Sequence, residues 1–135
     1  MKTQRLLWPL VAIIALLIVA CGSSGAPPPA PPGTGLSITA VAGPTCPVER
    51  IPPDPACAPR PVAGATIIVL DAQGATVTTV VTDATGTATV AIPAGAYVVQ
   101  ARPVVGLMGT AEAQPVTVVA GALSPVALAY DTGIR

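Results

Sequence analysis

The side chains able to do chemistry in this 135-residue sequence are few. It holds three cysteines, Cys21, Cys46 and Cys57, six carboxylates and two tyrosines beyond its first segment, with no histidine and no asparagine. Without histidine neither a Ser–His–Asp nor a Cys–His relay can be assembled, and most zinc sites lose their nitrogen ligands. The single lysine is Lys2, so the rest of the chain has no amine for a Schiff base. Glycoside hydrolysis needs two carboxylates facing one cleft, and here the six acids fall in separate turns and loops. Asp71 and Asp83 are too scattered for calcium, which takes six to eight clustered oxygens, and they read as turn formers. Cys46 and Cys57 have ten residues between them. Two thiols without histidine are too few soft ligands for a metal, and the spacing is not the Cys-x-x-Cys of a redox pair. The sequence therefore predicts no catalytic residue, no metal, no cofactor and no enzyme.

The elements that would carry these residues begin with a leader. Lys2 and Arg5 precede an apolar run from Leu6 to Ala20, shorter than a membrane-spanning helix and ending in a small residue, as in an export signal. Ile18-Val19-Ala20-Cys21 resembles a bacterial lipobox, with Ile18 where leucine is usual. The resemblance implies a signal peptide over 1–20, cleavage before Cys21 and a diacylglyceryl group joined to its sulfur as a thioether, with palmitate among the acyl chains. Each buried CH₂ contributes ~0.8 kcal/mol, so two or three chains hold a protein on a bilayer. The expected location is exported and lipid-anchored to the cell membrane, facing the extracellular or periplasmic side. The alternatives are an uncleaved anchor and a secretory signal whose cysteine is unmodified. Beyond the leader four arginines stand against six acids, a net charge of −2. With no basic cluster, nucleic acid is not an expected partner.

Residues 21–35, CGSSGAPPPAPPGTG, contain no side chain able to build a core and read as a Pro/Gly/Ser tether. Residues 36–135 are the folded part. Within it, 43–61 is a proline-rich loop. With Cys21 lipidated, Cys46 and Cys57 are an even pair in an exported chain, so a disulfide is expected. Closing a loop of that size stabilises by roughly 3 kcal/mol on the chain-entropy model. Glu49, Arg50, Asp54 and Arg60 decorate this loop, either as a solvated rim or as a recognition surface.

Strand signals surround it. Leu36–Ala42 alternates with one apolar face. Thr66–Asp71 is apolar on both faces, with Ala65, Ile67 and Val69 on one and Ile68 and Leu70 on the other, as in a central strand. Ala75–Thr82 is rich in β-branched residues. Thr87–Ile92 alternates, and Ala96–Ala101 places Tyr97, Val99 and Ala101 together. Ala72-Gln73-Gly74, Asp83-Ala84-Thr85-Gly86 and Pro93-Ala94-Gly95 are turns, with Asp83 closing an Asx-turn and Gly86 free to take positive φ. Pro115–Ala120 and Pro125–Tyr130 read as two further strands, with Val116, Val118, Leu128 and Tyr130 inward. The expected fold is all-β, an Ig-like or prealbumin-like sandwich of about seven strands.

The run Pro61-x-x-Gly64-Ala65-x-Ile67-x-Val69, followed by Thr82-Asp83-x-x-Gly86-x-Ala88-x-Val90-x-Ile92-Pro93-x-Gly95-x-Tyr97-x-Val99, resembles the carboxypeptidase regulatory-like domain. That family is a transthyretin-like sandwich, and Ala88 stands where it usually has phenylalanine. The resemblance covers about forty residues and implies a fold shared by many accessory modules, some grouped with carbohydrate-binding folds. Related pilin-type sandwiches carry a Lys–Asn isopeptide bond, for which the mature chain lacks both residues. The function expected is a non-enzymatic lipid-anchored surface module with a structural or protein-interaction role and an unspecified protein or cell-envelope partner. The alternative is a carbohydrate- or cell-wall-binding domain, which would use exposed aromatic platforms. Candidate interaction residues flank the central strands: Glu49 and Arg50 in the cysteine loop, Leu107 and Met108 in the Gly106–Gly109 connection, which either fold back over one end of the sandwich or form a small binding patch, and Asp131 and Arg135 at the C-terminal end.

Overall fold

The computed structural model describes residues 29–48 and 50–135. The segment expected to be a signal peptide, Cys21 and most of the expected 21–35 tether lie outside the described residues, as does Glu49. The described residues form eight strands: β1 Gly35–Gly43, β2 Arg60–Pro61, β3 Thr66–Asp71, β4 Thr76–Val81, β5 Thr87–Ala91, β6 Gly95–Ala101, β7 Gln114–Val118 and β8 Leu123–Asp131. They make two four-stranded sheets. In one, β1 is flanked by β8 on one edge and by β5 and β2 on the other; the second runs β4-β3-β6-β7. The all-β sandwich expected from the alternation is the observed fold.

Alternation decides which residues meet. In β1, Leu36, Ile38, Ala40 and Ala42 are buried, and in β8 so are Val126, Leu128 and Tyr130. These strands pair in parallel over nine residues, Gly35 opposite Leu123 through Gly43 opposite Asp131. The register sets Ala40 beside Leu128 and Ala42 beside Tyr130. Small side chains thus stand next to the largest ones, which is how a core without phenylalanine fills its volume. In the opposing sheet Ile67, Val69, Val99 and Val118 are buried and join the same cluster. Ala88, at the position where the resembled family has phenylalanine, is half-buried against this core.

The edge of β1 changes partner at Ala40. Gly35–Thr39 pairs with β5, and Val41–Ala42 pairs with β2. Between them the Ala40 N–H donates to the Gly86 carbonyl (2.8 Å), and the Ala40 carbonyl accepts from Val62 N–H (2.9 Å). Gly86 has φ +73°, and a Cβ there would lie 2.5 Å from the Ala40 oxygen. Glycine at this point is a requirement of backbone against backbone.

Beside this seam Thr82, 4% exposed, ties the Val62–Ala65 turn to the end of β4. Its hydroxyl donates to the Val62 carbonyl (2.6 Å) and accepts from Ala65 N–H (2.9 Å). Its backbone accepts from Gly64 N–H and donates to the Ala65 carbonyl. Asp83 then organises the next turn. Its carboxylate accepts from the N–H and hydroxyl of both Thr85 and Thr87 at 2.6–3.0 Å. These four bonds, led by the Thr85 hydroxyl, hold the carboxyl well below its ordinary value, at about 2. The Thr-Asp-x-x-Gly run is thus fully accounted for by folding: a staple, a turn cap and a close backbone approach.

The bounds of the 43–61 loop are corrected. Arg60 and Pro61, read as loop, form β2, because the cysteine loop returns along β1; Gly43 likewise belongs to β1. With this two-residue strand the count of about seven becomes eight among the described residues. β3 is central, between β4 and β6, as its two apolar faces predict, with Ile68 and Leu70 half-buried on the outer face.

Candidate functional site

β1 and β8 run side by side in the same direction, and this gives the sandwich two unlike ends. At the start of both strands the connections are short. Gly35 N–H donates to the Ala122 carbonyl (3.2 Å), and Gly121 N–H donates to the buried Thr34 hydroxyl (2.7 Å). The chain preceding the domain is therefore pinned to the β7–β8 turn as it enters. At the far end, the nine residues of β1 later and about 26 Å away at ~3.3 Å per step, the long segments gather: the cysteine loop, the β6–β7 connection and the C-terminal residues.

The segments at this end bond to one another. Cys46 and Cys57 form a disulfide. Asp54 accepts from Ala56 N–H (2.9 Å) and caps a single 3₁₀ turn over Pro55–Cys57. The Thr45 hydroxyl donates to the Ala58 carbonyl (3.2 Å), bracing the loop across its base. The Thr132 hydroxyl donates to the Pro44 carbonyl, and Thr132 N–H donates to the Gly43 carbonyl (3.2 Å). Met108 N–H donates to the Asp131 carbonyl (2.9 Å), which ties the β6–β7 connection to the C-terminal residues. Tyr130 sits beneath, 1% exposed, its hydroxyl donating to the Arg102 carbonyl (3.1 Å) across the two sheets. Burial raises its pKa above the ordinary value.

The sequence-predicted site residues fall as follows. Arg50, Leu107, Met108, Asp131 and Arg135 all belong to the three converging segments. Leu107 is half-buried against the core, whereas Met108 is 77% exposed. Asp131 and Arg135 pair at 2.8 Å on the surface. The guanidinium, then Gly133 N–H, hold the Asp131 carboxyl to about 2, and the carboxylate raises the Arg135 pKa in turn. This exposed pair contributes little stability. Val48, Ile51 and Val105 are further exposed apolar side chains on these loops.

Two concavities lie at this end. The larger, about 450 Å³, is walled by Val62, Val104, Val105, Leu107 and Ile134, with Arg60 on its rim. The smaller, about 360 Å³, lies on the cysteine loop between Arg50, Asp54 and Pro59. The sequence marks Arg60 only as one of four charged residues of the cysteine loop, a solvated rim or a recognition surface, and singles out none of Val104, Val105 and Ile134. The signal was present only as neighbouring apolar residues in three distant segments, and no local pattern states that they meet. Among the described residues no group of three metal-ligating side chains clusters anywhere.

No family model matches the chain. No curated protein matches it either. Among solved structures it is similar to GBS52, the minor pilin in the gram-positive pathogen Streptococcus agalactiae, at 16% identity and a TM-score of 0.56 over 73% of this chain and 44% of that one. The chain thus spans less than half the length of that pilin, and at this identity the likeness concerns the fold, a β-sandwich.

Proposed function

We propose that this chain is a non-enzymatic, lipid-anchored surface module of the carboxypeptidase regulatory-like type, whose looped end engages a protein partner of the cell envelope. The observation that carries the reading is the polarity of the sandwich. The preceding tether enters at the end with short turns, and all three long segments converge at the other. An acylated Cys21 followed by the 21–35 tether would hold the first end toward the membrane and the looped end outward. The fold, seen also in a minor pilin, suits a surface role. The Thr82, Asp83 and Gly86 positions behind the family resemblance are spent on folding, which leaves recognition to the loops.

The carbohydrate-binding alternative has less support. Tyr130 is buried, and Tyr97 is half-buried with its hydroxyl donating to the Pro93 carbonyl (2.9 Å). Neither offers the exposed ring on which a sugar stacks.

Intact-mass analysis of membrane-extracted protein tests the anchor. The reading predicts a chain beginning at a diacylated or triacylated Cys21. A chain retaining Met1–Ala20, or one with an unmodified Cys21 recovered from the soluble fraction, would refute it.

A further inference from the structure

We infer that the larger groove at the looped end binds the C-terminus of a partner polypeptide, with its last aliphatic side chain among Val62, Val104, Leu107 and Ile134 and its free carboxylate on Arg60. This rests on the surface-module reading above and names the ligand class for that end.

Three observations converge on it. The first is charge. The groove lining includes one cation, Arg60, and no carboxylate. Among the described residues no acid reaches the Arg60 guanidinium, whereas Arg135 at the same end is neutralised by Asp131. A guanidinium offers a planar fork of N–H donors that matches a carboxylate two bonds at a time. The second is shape. About 450 Å³ walled by aliphatic side chains suits one or two apolar residues with a single polar anchor, as small-ligand sites do.

The third observation favours a peptide over a fatty acid. Arg60 lies on β2, an edge strand of its sheet. Along the groove wall Ala63, in the turn after β2, and Val105 and Gly106, in the β6–β7 connection, have N–H groups that donate to no protein acceptor among the described residues. A peptide main chain carries carbonyls that such donors can engage. An acyl chain would leave them all unused.

The test uses fluorescence polarisation on the full chain in detergent micelles. The probes are fluorescein-labelled pentapeptides, Gly-Ser-Gly-Ala followed by Val, Leu, Ile, Asp or Lys, each made as the free acid and as the C-terminal amide. The expected result is saturable binding of the free acids ending in Val, Leu or Ile. Their amides should bind at least tenfold more weakly, about 1.4 kcal/mol. Arg60→Gln should remove the acid-over-amide preference without changing the melting temperature, because the side chain is exposed. Leu107→Ser should weaken the aliphatic acids while keeping their preference over amides. Equal affinity for acid and amide, a preference that survives Arg60→Gln, or no binding by any aliphatic free acid would overturn the inference. Cross-linking from the looped end in cells separates this failure from failure of the underlying reading, since partner capture there does not depend on a C-terminal carboxylate.

Discussion

Replacing Thr82 by valine deletes one oxygen and leaves the shape of the side chain almost unchanged, so it isolates what the hydroxyl does. In the folded protein that oxygen is the only described partner of the Val62 carbonyl and of Ala65 N–H, at 2.6 and 2.9 Å. Both residues are buried, so neither group finds water when the oxygen is lost. Each orphaned group costs about 1–3 kcal/mol. The methyl that replaces the hydroxyl returns about 1 kcal/mol of apolar burial. The expected net loss is about 1–5 kcal/mol, a sizeable share of the ~5–15 kcal/mol that holds a domain folded. For a domain near 100 residues this lowers the melting temperature by on the order of 5–25 °C. Thr82→Ser keeps the oxygen and loses a methyl, at about 1 kcal/mol. The assay is thermal and urea unfolding of both variants with the disulfide intact. Serine should be the milder change by a clear margin. A valine variant as stable as the parent, with serine the worse of the two, would mean that Thr82 acts through packing and would refute the staple.

Further consequences follow from the same geometry. Gly86→Ala puts a Cβ 2.5 Å from the Ala40 oxygen at φ +73° and should lower the urea midpoint by the equivalent of about 2 kcal/mol or more, given the cost of a strained left-handed residue plus the clash. Asp83 and Asp131 each have a folded-state pKa of about 2 against an ordinary 3.8. Their contribution to stability is therefore complete above pH ~4 and is lost as the pH falls toward 2. Urea midpoints measured across that range should decline, and Asp83→Asn should make the decline shallower. Reducing Cys46–Cys57 should destabilise by roughly 3 kcal/mol on loop entropy, read as a shift in urea midpoint with and without reductant.

What could be read in the sequence was what alternation and turn chemistry state locally. Thr66–Asp71 was bounded to the residue, because Gly64 and the Asp71–Gly74 turn bracket an apolar run. The inward set Leu36, Ile38, Val99, Leu128 and Tyr130 followed from period-two patterning alone. The parallel pairing of β1 with β8 was not visible. It joins segments about ninety residues apart, and nothing in either segment encodes its neighbour. The two-residue β2 was missed because Arg60-Pro61 has no strand character of its own and is defined by pairing onto β1. The same reason hid the groove. The cysteine loop, the Gly106–Gly109 connection and the C-terminal residues were each singled out, but their convergence depends on β1 and β8 ending together. Met108 and Leu107 are adjacent apolar residues of like size, and only the packing of Leu107 against the core, with Met108 left exposed, shows which of them turns inward.

The most direct test is site-specific photo-cross-linking in intact cells, with a photoreactive residue introduced singly at Ile51, Val105 or Met108 on the looped end and at Ala94 or Ala122 on the opposite end. The account predicts discrete cross-linked partner bands from the first three positions and none from the last two, with all five variants in the membrane fraction. Partner bands from Ala94 or Ala122 alone would place recognition at the tethered end and contradict it.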